Sequence, residues 1–378
     1  MMQKKKFVNR QPKKAAVAVI VCMTVVSIFI SGCGLGNASG QYQNTGFAMG
    51  TVIAQNMYGG NEKTAEEILH VISELEQTIS WRLEGTEVDR INDGAGSGQP
   101  VEVSEKLAGW IRDCLEVYEV SGGKLDVTVG PVARLWDIGG ENPRIPEEEE
   151  LADALKKVDA GKLLAGAGNL PGTTQNTGTS SETETTDKNS IWFHTEGGQL
   201  DLGAVGKGIG CDEIFDYIVT NYPKINGTFS VGGSVLIYGE KPDGQPWKIG
   251  IRDPRGEEGE YMGSLTFSME KGERINVSTS GDYEKYFEEK GVRYHHILDP
   301  KTGAPAKSDL ISVTVISESG FLTDALSTAC FVAGKEEGLK LAEQFGAEAV
   351  VITKEGEVFL TESAGAYFQL ISEEYTLK

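Results

Sequence analysis

Cysteine is scarce in this sequence, with five in 378 residues, which excludes a disulfide scaffold. No two have metal-ligand spacing. Cys114, Cys211 and Cys330 each lie in an apolar run, as isolated core thiols do. Positive charge is also short: 35 Lys and Arg face 56 Asp and Glu, a net charge of −21. Such a surface repels phosphate backbones, so nucleic acid is not expected as a partner. There is no G-x-G-x-x-G, no regular βαβ series and no Walker A spacing, which argues against a Rossmann domain or a P-loop. The charge-free run from Ala15 to Ile30 falls short of the roughly 20 residues that cross a bilayer.

What is present begins with an asymmetry. Lys4, Lys5, Lys6, Arg10, Lys13 and Lys14 precede that apolar run with no acidic residue among them, and Ile30-Ser31-Gly32-Cys33 ends it. A basic segment, an apolar segment and small residues before a cysteine read as a lipoprotein signal, 1–32, with Cys33 as the acylated residue. Residues 33–46 are polar and Gly-rich, a flexible tether. The protein is then expected on the extracytoplasmic face of the cell membrane, held by lipid alone.

The rest reads as an α+β body over 47–372. Ala65, Ile68, Leu69, Ile72, Leu75 and Ile79 repeat at helical spacing behind an Asn61 cap. A second helix starts near Ser104 and stops at Gly122-Gly123, and a third, acidic one covers Glu147 to Lys157. Residues 165–190 hold a single large apolar residue, Leu170, so they are expected to be an exposed, disordered insert. Ile191–Thr195 and Gln199–Leu202 suggest a hairpin, and Lys207 to Tyr222 a helix. Strands are expected at 229–231, 235–238, 247–251, 265–268, 275–279, 295–298, 310–316, 349–353 and 358–361, with helices at 323–333 and 336–345. The body is therefore largely antiparallel.

Four segments carry candidate chemistry. Asp201 to Gly208 is a strand end, a Gly-rich turn and a helix start, where free N–H groups and Lys207 favour an anion; a tight turn with a surface lysine is the plainer reading. Asp324 and Thr328 lie one helical turn apart, so a carboxylate and a hydroxyl share a face and suit a hard cation. Thr323 as an N-cap with Asp324 as a first-turn charge is the alternative. His295 and His296, two of four histidines, point to opposite faces of a strand, so one can serve a site while the other is structural. Thr279 to Tyr283 offers Asp282 beside a glycine.

Taken in order, these segments resemble the ApbE family of FAD:protein FMN transferases. The likeness also runs through Met49-Gly50-Thr51, Ser80-Trp81, Gly123 to Pro131 with Leu135-Trp136, Asp212, Gly232-Gly233, Trp247 to Ile251 with Asp253-Pro254, and His295 to Gly303. It implies a T-fold-type body with an FAD cleft. It implies Mg²⁺-dependent transfer of FMN from FAD to a threonine or serine hydroxyl, with release of AMP. The acceptor would be a subunit of a membrane redox ion pump or an extracytoplasmic flavoprotein. Mapped residue by residue, Asp324, Thr328 and the Ala204 carbonyl would hold Mg²⁺. Met49, Trp81, Lys124, Leu125, Asp126, Asp201, Lys207 and His296 would contact FAD. His296, or else Asp282, would take the hydroxyl proton, and His295 would replace His296 if the strand register slips by one. FAD hydrolysis to FMN and AMP, or FAD binding without transfer, needs the same cleft. A solute-binding lipoprotein would leave these segments unexplained as one set.

Overall fold

The computed structural model describes residues 40–166 and 188–378; the expected signal segment, Cys33 and most of the expected insert lie outside them. The body starts with a hairpin, β1 (Gln41–Ala48) and β2 (Thr51–Tyr58), then α1 (Glu62–Ile79), α2 (Glu87–Gly94), β3 (Val101–Glu102), α3 (Glu105–Val120), α4 (Gly130–Trp136) and α5 (Glu148–Leu155). Strands β4 (Leu163–Ala165) and β5 (Ser190–Phe193) flank the insert, and α6 (Gly206–Asn221) follows. Strands β6 (Asn226–Val231), β7 (Ser234–Tyr238), β8 (Trp247–Arg252), β9 (Tyr261–Phe267), β10 (Arg274–Gly281), β11 (Tyr286–Glu289), β12 (Val292–His295) and β13 (Leu310–Ser317) come next. Helices α7 (Gly320–Ala333) and α8 (Lys335–Gln344) precede β14 (Glu348–Thr353), β15 (Glu357–Leu360), β16 (Phe368–Leu370) and β17 (Thr376–Leu377).

Among the described residues the largest sheet has nine strands in the order β1-β2-β6-β7-β10-β13-β14-β15-β17. Its pairings are antiparallel except β15 with β17. Helices α1 and α6 cover one end of one face, where Ile68, Ile72, Ile214 and Ile218 pack on Ile53, Phe229 and Val231. Helices α7 and α8 continue that layer over β13 and β14. The other face meets the sheet β16-β9-β8, with Ile237, Val277, Ile316 and Ile352 against Trp247, Met262 and Phe267. Being covered on both sides, β13 is buried at every position but its last, which is why it is rich in β-branched residues on both faces. The α+β architecture agrees with the sequence.

Several boundaries differ. Gln41 to Gly46 belong to β1, not to a tether, because each pairs across the hairpin with β2. At the other end β17 continues beyond 372. Ala165 and Ser190, the ends of the expected insert, are strand residues. The hairpin of 191–195 with 199–202 does not form. β5 has both edges filled by β3 and β4, and the Leu200 N–H and C=O are taken by the Asn92 side chain instead. The strand expected from His295 ends there. Helix α7 starts three residues early with Ser319 as its cap, so Thr323 is an interior residue and not the N-cap. No helix of the described residues is long and apolar enough to cross a membrane.

Candidate active site

The site grows from the crossing of α6 and α7. A Cβ on Gly208 would lie 2.1 Å from the Gly320 carbonyl oxygen, and one on Gly320 2.4 Å from that of Gly208. Only glycine at both positions allows this approach. The contact lets each helix cap the other. Asp324, on α7, accepts from the Lys207 and Gly208 N–H groups of α6 at 3.1 and 2.9 Å. Asp212, on α6, accepts from the Gly320 and Phe321 N–H groups of α7 at 2.9 and 2.8 Å. Carboxylates thus sit on both positive helix ends. This corrects one expectation: the Lys207 and Gly208 N–H groups at the start of α6 are filled by the protein's own Asp324 rather than open to a phosphate.

Asp324 is 1% exposed, and the Lys207 Nζ lies 3.1 Å from its second oxygen. Burial lowers the basicity of that ammonium, but Asp324 beside it more than restores it, and its pKa ends above the usual lysine value. Hydroxyls bind α7 to β10: Ser278 meets Thr323 at 2.8 Å, and Ser280 meets Ser327 at 2.8 Å and Thr328 at 3.4 Å. Ser278 gave no sequence signal, because a hydroxyl in a strand is ordinary, and Ser280 entered only as part of the Thr279 to Tyr283 segment.

Two hairpin tips close on the same point. Met49 and Gly50 have φ of 52° and 65°, the pattern of a two-residue turn with both central residues left-handed. That conformation is strained for methionine; the Glu76 carboxylate secures it by accepting the Met49 N–H at 3.0 Å. At the β6–β7 tip, Gly232 has φ 57°, and a Cβ there would fall 2.6 Å from Thr51 Oγ1 and 3.3 Å from Lys207 Cδ.

Cations gather around this point in an otherwise acidic chain. The Arg82 and Arg134 guanidinium carbons lie 4.0 and 4.5 Å from the Trp81 ring centroid. Asp201 accepts the Gly203 N–H at 2.8 Å. Burial raises its carboxyl pKa despite that bond and the nearby Arg82, Trp81 and Arg134. Burial, then Lys207 and Arg82, lowers the Lys285 ammonium. Burial, then Lys207 and Lys285, lowers His296 to about 3, so its ring is neutral. The backbone N–H of His296 donates to the Lys285 carbonyl at 3.0 Å, and the ring Nδ1 is buried without a partner. Arg82, Arg134 and Lys285 were missed from sequence, since a lone basic residue has no spacing pattern.

The profile of the ApbE family matches residues 49–351. The chain belongs to the ApbE family. FAD:protein FMN transferases of Haemophilus influenzae and Treponema pallidum are each 30% identical to it, over 82% and 89% of this chain and 84% and 90% of theirs. The crystal structure of the ApbE protein from Thermotoga maritima superposes with a TM-score of 0.73 at 30% identity, covering 86% of this chain and 99% of that one. The flavin transferase ApbE from Vibrio cholerae gives 0.70 at 27% identity, with the same coverage.

Within this ApbE body the remaining candidates separate. Lys207, Asp324, Thr328, Met49 and His296 belong to the convergence just described, with Trp81 and Asp201 beside it and Ala204 in the turn before α6. The segment before α4 is structural in what it touches. Lys124 pairs with Glu337 at 3.6 Å, and Leu125 is in the core. The Asp126 oxygens accept from the Thr128 N–H and hydroxyl and from the Ala160 N–H. Asp282 is gripped by the Arg255 fork through two 2.8 Å bonds. His295 packs edge-on against Phe331. Among the described residues no three His, Cys, Asp or Glu side chains are grouped to hold a metal.

Proposed function

We propose that this protein transfers FMN from FAD to a threonine or serine hydroxyl of an acceptor protein, with Mg²⁺ and with release of AMP. The observation that carries the reading is the buried Asp324 carboxylate at the α6–α7 crossing, with the Lys207 ammonium 3.1 Å from one oxygen and two α6 N–H groups on the other. Family membership and relatives named FAD:protein FMN transferase support it.

The donors suit the metal. Asp324, the Thr328 hydroxyl and the Ala204 carbonyl are hard oxygen ligands, and the Lys207 ammonium already stands 3.1 Å from the Asp324 oxygen a cation would take. Mg²⁺ bound there would neutralise pyrophosphate charge. Lys207, Lys285, Arg82 and Arg134 would supply positive charge for the pyrophosphate, in a chain whose net charge would otherwise repel it. Met49 and Trp81 offer apolar surface to the rings.

The acceptor oxygen forms a bond to the phosphorus of the FMN half, and the bond to the AMP oxygen breaks, its electron pair leaving with AMP. His296 accepts the hydroxyl proton. Its low basicity arises partly from Lys207 and Lys285, and a bound pyrophosphate would offset that field and raise the ring toward a useful range. Asp282 is the weaker choice as base because both oxygens are occupied by Arg255. The basic leader, apolar run and Cys33 favour a lipid-anchored, extracytoplasmic enzyme, and the family resemblance favours a membrane redox ion pump subunit or an extracytoplasmic flavoprotein as acceptor.

Incubating the protein with FAD, Mg²⁺ and an acceptor domain tests the reading. A covalent FMN mass on the acceptor hydroxyl supports it. Free FMN and AMP without labelling would make the protein a hydrolase, and neither product would end both readings.

A further inference from the structure

We infer that the segment 371–378, beyond the matched family region, is a positioning strap for the proposed base; the inference rests on the transferase reading above. Tyr375 is buried, and its hydroxyl donates to Asp253 Oδ1 at 2.5 Å. The same oxygen accepts the Arg255 and Gly256 N–H groups at 2.9 and 3.0 Å. One carboxylate oxygen thus ties the strap to the turn that aims Arg255. The Arg255 fork then takes both Asp282 oxygens at 2.8 Å, a planar bidentate fit that lysine cannot reproduce.

Asp282 begins the connection from β10 to β11. Three residues on, the Lys285 carbonyl accepts the His296 N–H at 3.0 Å. The path Tyr375–Asp253–Arg255–Asp282–Lys285–His296 is therefore a continuous run of bonds and chain from the strap to the backbone amide of His296, which sets where the imidazole is carried. The strap itself is fixed by pairing of Thr376 and Leu377 with β15 and by the Lys378–Glu357 ion pair at 2.8 Å. Removing the Tyr375 hydroxyl takes away the one bond that ties the Asp253 turn to the strap while its two backbone bonds remain, which loosens the fork and shifts the segment that carries His296. Angstrom-scale misplacement of a reacting group lowers the rate about 100-fold, and a loosened second-order support less.

The test measures steady-state FMN transfer, in detergent, by the full chain and by Tyr375→Phe, Arg255→Lys and the double variant, with circular dichroism to verify folding. Positioning predicts that Tyr375→Phe lowers kcat about five- to tenfold while KM for FAD stays within twofold. Arg255→Lys should do the same, and the double variant should fall no further than the worse single one, because both cut one path. Unchanged kcat in folded Tyr375→Phe overturns the strap, as does a double loss equal to the product of the single losses. If Tyr375→Phe does not fold, Arg255→Lys decides alone: an unaltered kcat overturns the proposal. A wild-type chain that neither labels acceptor nor cleaves FAD removes the transferase reading instead, so the two failures are distinct.

Discussion

Asp324 holds two backbone N–H groups and the Lys207 ammonium on two oxygens. Replacing it with alanine leaves those donors without their acceptor in a buried place, so Asp324→Ala should lose about 2–3 kcal/mol of stability. Asp324→Asn should lose less, since one amide oxygen still accepts. Both should abolish Mg²⁺-dependent transfer; chemical denaturation and an FMN-labelling assay separate the two effects, and Asp324→Ala with full turnover would overturn the metal assignment. His296 makes a prediction with a definite sign. Its pKa falls to about 3 in the fold through burial and the two lysines, below the unfolded value of about 6.5. Between these pH values the unfolded chain binds the proton and the folded one does not, so this group's contribution falls as pH drops from 6.5 toward 3. Asp201 and Asp212, whose carboxyls burial raises, act in the opposite direction. The difference between wild type and His296→Asn isolates the histidine: the variant should lose less stability than wild type on going from pH 7 to pH 5, measured by thermal unfolding of the metal-free, FAD-free protein. Helical spacing and a Gly-rich turn mark Asp324, Thr328 and Lys207 in the sequence, and the structure brings Asp324 and Lys207 together at 3.1 Å. Leu125 and Asp126 belong to a motif segment that also builds core, which sequence alone does not reveal and which their contacts show.

At the scale of elements, the α6–α7 crossing is where packing becomes chemistry. A methyl on Gly208 must clear a carbonyl oxygen 2.1 Å away and the Asp324 Cβ 2.7 Å away. Neither can yield without separating the helices, and separation lengthens both N–H bonds to Asp324. Gly208→Ala should therefore lower stability by about 3 kcal/mol and reduce transfer more than tenfold even where the protein remains folded. Gly365→Ala, in a place with nothing within 4 Å, is the control and should change neither. Long amphipathic helices such as α1 and α3 were readable, caps included, because their faces are cleanly divided. The β1–β2 hairpin was not, since an edge strand of glutamine, asparagine and threonine carries no apolar alternation on its outer side. The short helices α2 and α4 escaped for the same reason of length: a turn or two gives no period to count.

For the whole molecule, the order of the nine-stranded sheet was hidden from sequence. β2 pairs with β6 across α1 through α6, and nothing in either strand names its distant partner. The composition break near 165–190 was visible, and the described residues show what it joins. Leu163–Ala165 pairs with Ile191–Phe193, and the Gly166 N–H reaches the Ser190 carbonyl at 2.8 Å. The insert thus leaves and re-enters at two neighbouring strand ends, so the pair needs no long connection to form. Replacing 167–187 by a four-residue Gly/Asn link shortens the closed loop by a little over two halvings, worth about 1–1.5 kcal/mol in favour of the folded state. None of Lys207, Asp324, His296, Trp81 or Asp201 is removed. The shortened protein should unfold at a slightly higher temperature and keep its kcat for FMN transfer within twofold. A tenfold rise in KM for the acceptor with FAD handling unchanged would instead assign 167–187 to acceptor recognition, and a loss of folding would show that the segment supports β4 and β5.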